Sequence, residues 1–547
     1  MNNMFRKKAT LWIMMIVCFF IIPKTVLAHA YIVNSTPQEN QELNKAPSEI
    51  KLEFNEVIQE GFHSIIVRDS SGERVDQGQT MIDPKNAKVM KTKLQQHLKD
   101  DIYSAEWRAV SADGHPVSGT IPFSVGKIQG SLPKGEQSTA ANQLPKADTI
   151  IERVLLYTGF SFLMGSILFQ LVWYRPLMGL SQQMKRRIQW LMKLALILIG
   201  AGLLIQLPLQ TKANAGVAWN EAFQPNLLKE TLLYTTGGTL WMINIGLLII
   251  LFVFTWKTSH ALNIIPLIGL LFVKSLSGHA ASTSSNMMTI IMDFVHLGSA
   301  SVWVGGLAVI ALLFGRDWVK TDRTHIWEAI RRFSPWALCS AGLLVFSGFI
   351  NSFFIVHTLN NLFTTYYGKA LLIKLALFCL MIGLGTFHYV RFRKKPKHIR
   401  AQTIKAEWLI GLLILLTTAV FTNIPSPHAP LPLPFNETKQ LENGESLSLG
   451  ISPNIPGSNT FEVRIRNRNG EISKDIQKIE LTISKTSLFG DKQESTFNLT
   501  KNKQGIFRSK HLNLNEEGLW KIRVHGLTAS FTEIKTVFNV KTNKREY

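Results

Sequence analysis

Three residues early in the chain have the types and spacing to hold a metal ion: His29, Asp113 and His115. The stretch "PKTVLAHAYIVNSTPQ", residues 23 to 38, carries small residues up to Ala28, as a secretory cleavage site requires. Cleavage there would leave His29 as the first residue of the mature chain. A histidine at a free N-terminus offers two nitrogens to one ion, its α-amine and its ring. The amine titrates near ~8, against ~10.4 for lysine, so a metal can displace its proton at neutral pH. Together the two nitrogens form a planar chelate, which suits the tetragonal preference of Cu(II). A third nitrogen and a carboxylate would complete the set. "VSADGHPVSG" offers Asp113 and His115 two residues apart, on the same face of an extended segment. Each signal alone has an ordinary reading, an accident of cleavage for one and a common turn triplet for the other. His63 and His97 read as surface residues.

A second group of ionisable residues stands within long apolar runs. His279 lies in "SGHAAS", and Asp293 and His296 sit three apart in "MDFVHLGSASVWVGGL". His388 lies in "GTFHYVRF", and His357 at the end of another run. Such residues are costly in lipid and usually face a bundle interior, so His279, Asp293, His296 and His388 form a candidate path for a metal ion. The competing reading of Asp293 and His296 is a hydrogen-bonded packing pair, and that of His279 and His388 is a solvated interfacial histidine. His357 reads as interfacial. Met287, Met288 and Met292 read as helix packing, although a thioether suits Cu(I). Gly305 and Gly306 would permit a close helix approach.

The elements that must position these residues fall into three regions. "FRKK", "ATLWIMMIVCFFII" and "VLA" form a tripartite signal peptide over residues 1–28. Residues 29–127 alternate apolar and polar, with turn residues between, and predict a small β-sandwich or barrel. A Gly-, Ser- and Pro-containing linker over 128–148 ends that domain. Residues 149–424 hold eight apolar runs, centred near Phe162, Leu198, Leu247, Leu270, Val302, Leu344, Phe378 and Leu415. The connections after the odd-numbered runs are the basic ones, which places them in the cytoplasm and both soluble ends outside the cell. Residues 436–547 alternate again and predict a second β-sandwich, with no site assigned to its His511 or His525.

Of the 547 residues 46% are hydrophobic, and the formal net charge is +22. Because many basic residues fall in short connections between apolar runs, the charge points to a membrane protein rather than a nucleic-acid binder. The three cysteines, Cys18, Cys339 and Cys379, form no CxxC pair, which excludes a disulfide framework and a thiolate metal site of the usual spacing. No GxxxxGK[ST] loop is present, so direct use of ATP is not expected.

"HAYIVNSTPQENQELNKAPSEIKLEFNEVI" and "YSAEWRAVSADGHPVSGTIPFSVG" resemble the CopC copper-binding domain. "SGHA" and "HLGSASVWVGGL" resemble the CopD membrane domain, and the C-terminal region is similar to YtkA-like extracellular domains. The whole chain resembles the CopC–CopD fusion proteins of Gram-positive bacteria, of the YcnJ type. The resemblance implies an all-β Ig-like outer domain, a helical membrane bundle and a C-terminal β-sandwich. It also implies a Cu(II) histidine brace at His29, Asp113 and His115, and a role in copper uptake. Some members add a methionine-rich Cu(I) site; only Met81 and Met90 stand in this domain, so none is expected here.

The function expected is therefore copper acquisition, not enzymatic, by a multi-pass cell-membrane protein whose terminal domains are extracellular. Its expected partners are the copper ion and membrane lipid, with no nucleic acid, and an extracellular copper chaperone or reductase is a candidate partner. The alternatives are copper resistance by sequestration, a copper-dependent oxidoreductase (a histidine brace also serves polysaccharide monooxygenases) and a membrane haem oxidoreductase.

Overall fold

Period-two alternation builds the first soluble region, as in β3, where Ile50, Leu52 and Phe54 of "EIKLEF" point inward and the glutamates and Lys51 do not. The computed structural model describes residues 30–39, 41–112, 114, 116–126, 137–138, 146–174, 182–257, 262–277, 286–313, 323–356, 359–394, 401–424, 434–441, 443–473, 475–486, 492–502, 505–514 and 518–542. They fold as two units, one helical and one made of both soluble β regions.

The N-terminal β domain holds β1 (Ile32–Thr36), β2 (Gln41–Leu43), β3 (Glu49–Phe54), β4 (Ser64–Arg68), β5 (Asp76–Asp83), β6 (Asn86–Leu94), β7 (Asp101–Val110), β8 (Pro116–Val125) and the short β9 (Gln137–Ser138). One sheet runs β1-β3-β6-β5 and the other β2-β8-β7-β4, with β9 on β8. Ile32, Leu52, Phe54, Ile65, Tyr103, Trp107 and Phe123 fill the space between them. This is the expected Ig-like sandwich.

The C-terminal domain holds β10 (Phe435–Gln440), β11 (Ser446–Ser452), β12 (Gly457–Arg466), β13 (Ile476–Thr486), β14 (Lys492–Lys501), β15 (Phe507–Leu514), β16 (Gly518–Thr528) and β17 (Glu533–Thr542). They form one sheet, β10-β11-β12-β15-β14-β13-β16-β17, whose halves meet, among the described residues, at two residue pairs between β14 and β15. The two halves face each other as a sandwich would, and the outer edges also approach. Lys439 donates to the Val537 carbonyl at 2.7 Å, and Phe435 packs edge-on against Phe538. The expected sandwich is thus nearly closed into a barrel. Within the same unit β1 lies against β12 and β15, where Lys510 and Glu39 pair at 3.5 Å. Burial raises the Glu39 carboxyl above its ordinary value, and Lys510 opposes that rise.

The helical unit runs α1 (Ala147–Leu168, prolonged by a π-helical turn, Phe169–Trp173), α2 (Gln182–Ala215), α3 (Pro225–Tyr234), α4 (Thr236–Lys257), α5 (Ile264–Leu276), α6 (Asn286–Leu313), α7 (Arg323–Ile355), α8 (Leu359–Thr364), α9 (Tyr366–Lys394) and α10 (Ala401–Phe421). Among the described residues, α1, α2, α4, α6, α7, α9 and α10 are long and apolar enough to cross a membrane. The eighth expected span, near Leu270, is the 13-residue helix α5. Its described residues cover about 20 Å at 1.5 Å per residue, and residues 258–261 and 278–285 on either side lie outside the described residues.

Helices α1 and α6 cross with their backbones in contact. A Cβ added at Gly305 would stand 1.9 Å from the Ser161 carbonyl oxygen, and one at Gly165 would stand 2.1 Å from that of Gly305. Gly306 makes room for the Phe333 ring in the same way. The glycine pair therefore does serve close packing.

Candidate metal sites

His29, Asp113 and His115 lie outside the described residues, whereas Ala30, Tyr31, Ser111, Ala112 and Gly114 beside them are described. Strands β7 and β8 form a hairpin with Val110 opposite Pro116, and residues 111–115 connect them in sequence. Gly114 between them has φ +88°, a left-handed conformation that favours glycine. Its N–H donates to the Ser111 carbonyl at 2.9 Å.

The chain between β3 and β4 then fastens both halves of the expected site. The Tyr31 N–H, two residues after His29, donates to Asn55 Oδ1 at 2.7 Å, and the Asn55 N–H returns a bond to the Tyr31 carbonyl at 3.1 Å. Four residues on, the Gln59 N–H donates to the Val110 carbonyl at 2.9 Å, and its side-chain amide to the Ser111 carbonyl at 2.8 Å and the Ala112 carbonyl at 3.3 Å. Residues 55–59 thus clasp Tyr31, just before β1, and residues 110–112, at the end of β7, together. Glu56, in the same clasp, is buried.

Sequence reasoning passed over Asn55 and Gln59. Their only signal was a pair of amides in "FNEVIQEG", directly after a strand. His97 is exposed, whereas His63 is partly buried and bonds to the Glu60 and Thr80 carbonyls. Met90 is a core residue and Met81 is exposed.

In the helical unit the structure places Asp293 and His296 together on α6 and adds partners from other helices. His296 Nδ1 is 3.0 Å from Ser347 Oγ on α7. The Ser347 hydroxyl also lies 2.6 Å from the Leu343 carbonyl, which can only accept. With its one proton spent there, the hydroxyl accepts from Nδ1–H, and this leaves the lone pair on Nε2. Lys374 Nζ of α9 stands 3.4 Å from that nitrogen, and 5.6 Å from the Phe421 ring of α10. Asp293 faces Ser275 of α5, and Lys374 is its strongest opposite charge, ahead of Lys274 and Arg153. Lys274 itself pairs with Glu152 of α1 at 3.5 Å, both largely buried.

Met292, one turn before His296, is buried, whereas Met287 and Met288 are exposed. His388 lies on α9 about four turns beyond Lys374, some 20 Å along the axis, and so outside this cluster. His279 and His357 lie outside the described residues. Lys374, Lys274 and Glu152 were missed from the sequence. Lys374 stands alone in "LLIKLALF", the lone charge in an apolar run that should have been read as functional. Among the described residues, no three His, Cys, Asp or Glu side chains converge on a point where a metal could sit.

Three family models match the chain: the CopC domain over residues 32–126, the Copper resistance protein D-like N-terminal domain over 146–289, and Copper resistance protein D over 327–421. The copper transport protein CutJ of Bacillus subtilis (strain 168) is 45% identical over 556 residues, covering 98% of this chain and all of that protein. Copper resistance protein D of Pseudomonas syringae pv. tomato is 30% identical over 272 residues, covering 46% of this chain and 84% of that one. Among solved structures, CopC from Methylosinus trichosporium OB3b matches at 24% identity over 19% of this chain and 99% of its own, with a TM-score of 0.17.

Proposed function

The chain belongs to the family of the copper transport protein CutJ, with CopC and CopD domains in one polypeptide, and from that premise we propose that it acquires copper for the cell. The outer domain captures Cu(II) at His29, Asp113 and His115, and the helical domain passes copper inward by way of Asp293 and His296. The observation that carries this reading is the clasp of residues 55–59, which bonds to Tyr31 on one side and to Ser111 and Ala112 on the other. It fastens the two chain segments whose ends would have to meet at one ion. The fixed hairpin turn with a left-handed Gly114 supports the same assignment.

In the bundle, a carboxylate and an imidazole on one helix, lined by residues of four others, are the kind of polar cluster that marks an ion pathway. The protein sits in the membrane through its apolar helices, and the basic odd-numbered connections favour both β domains on the outer side.

Two variants test the reading. An alanine inserted before His29 keeps the imidazole but removes the amine from the chelate, so Cu(II) binding by the full chain should weaken at least tenfold; unchanged affinity rejects the brace. His296→Ala should abolish copper accumulation by cells under copper limitation while leaving Cu(II) binding by the outer domain intact. Normal accumulation by a folded, membrane-inserted His296→Ala protein rejects the bundle path.

A further inference from the structure

We infer that Lys374 is a tethered cation that fills the bundle site when no cargo is there, and that the cargo displacing it is a monovalent ion, Cu(I). The inference rests on the copper-path reading above and adds to it the charge of the ion that passes. The hydrogen bonds around His296 aim its Nε2 lone pair at the Lys374 ammonium, 3.4 Å away. A metal ion ligated by that nitrogen would occupy the same place, so lysine and cargo exclude each other.

Charge then selects the cargo. The Asp293 carboxyl has Lys374 as its strongest opposite partner. Lys274 is matched by Glu152, and Arg153, the next residue, adds positive charge near Asp293. With the ammonium drawn aside but still tethered, a monovalent cation adds a single positive charge beside Asp293. A divalent ion would leave an extra positive charge in a medium of low dielectric, where an unpaired charge is costly. The buried Met292 stands one turn before His296 on the same helix, and thioether and imidazole are donors that suit Cu(I). The long lysine stem lets the ammonium withdraw, and the Phe421 ring, 5.6 Å from it, offers a face on which a cation can rest. Cu(II) captured outside must therefore be reduced before it enters. With an external thiol as donor, two Cu(II) and two thiolates give two Cu(I) and one disulfide.

The test compares the purified full-length protein with Lys374→Met and Lys374→Gln, titrated anaerobically with Cu(I) against a Cu(I)-specific chelator. Both neutral variants should retain one more Cu(I) per chain than the native protein, at chelator concentrations at least tenfold higher. Lys374→Arg, which keeps the charge, should behave as native, and adding His296→Ala to Lys374→Met should remove the extra equivalent. Cells carrying Lys374→Met should accumulate several-fold less copper, because the ion stays on its ligands. If Lys374→Met and Lys374→Gln bind no extra Cu(I), or take up Cu(II) equally well, the inference is overturned. It falls alone if His296→Ala still blocks accumulation, and with the path reading if His296→Ala does not.

Discussion

Asp76 ties the two sheets of the outer domain to each other. It begins β5 in one sheet, and it accepts the Val67 N–H of β4 in the other at 2.9 Å, the Gly78 N–H at 2.8 Å and the Arg74 guanidinium at 2.7 Å. Burial alone would raise its carboxyl, but the bonds from Arg74, Val67 and Gly78 outweigh that effect and hold it below the ordinary carboxylate value. A depressed carboxyl stabilises the fold above its unfolded value, near 3.9, and loses that contribution as pH falls through the folded value. Asp76→Ala should therefore cost about 2–3 kcal/mol at pH 7, with several donors left unsatisfied. Exchange of the Val67 amide should rise roughly 30- to 150-fold, and the gap between variant and native should close below about pH 4.

The residues expected to hold a metal are of another kind. His29, Asp113 and His115, which lie outside the described residues, drew attention by type and spacing. Asn55, Gln59 and Lys374 did not, because an amide or a lysine has no motif until the fold shows what it reaches. Lys374 gave the weaker hint of a charge in the wrong solvent.

Helices and strands were legible through their periods, and their pairings were not. Hydropathy located every apolar run, but run length in sequence does not say where a helix ends. The alternation of residues 436–547 predicted strands, whereas the approach of β10 to β17 depends on twist accumulated across eight of them. The crossing of α1 and α6 shows the same divide. "VWVGGL" suggested a close approach, but only the fold supplies the partners, Ser161 and Gly165. Both sides of that contact are backbone, which cannot swing aside as a side chain can. Gly305→Ala should thus lower the thermal midpoint of the detergent-solubilised protein by an amount worth about 1–3 kcal/mol or more. Gly246→Ala and Gly342→Ala have nothing within 4 Å of the added Cβ, so they should be neutral or slightly stabilising. Equal effects at all three positions would show that the crossing is not the tight point of the bundle.

For the whole molecule, the orientation reading makes a demand on both ends of the chain. The connection around Lys397 is basic and should be cytoplasmic, while Ser138 and the last strand should be outside. In intact cells an impermeant thiol reagent should label Ser138→Cys and leave Lys397→Cys untouched until the membrane is opened. Labelling of both without lysis would mean that the span count is off by one.

The pairing of β1 with β12 and β15, fixed in part by Glu39 and Lys510, has a further consequence once both domains lie on one side. The chain leaves this β unit at residue 139 and returns to it at 428, so the polypeptide makes a ring that is closed by contact rather than by a bond. A ring tolerates one cut. A protease that severs only the 128–148 connection would leave the N-terminal β domain moored through its neighbour. Release into the surroundings would take a second break, either in the chain before β10 or in the seam itself.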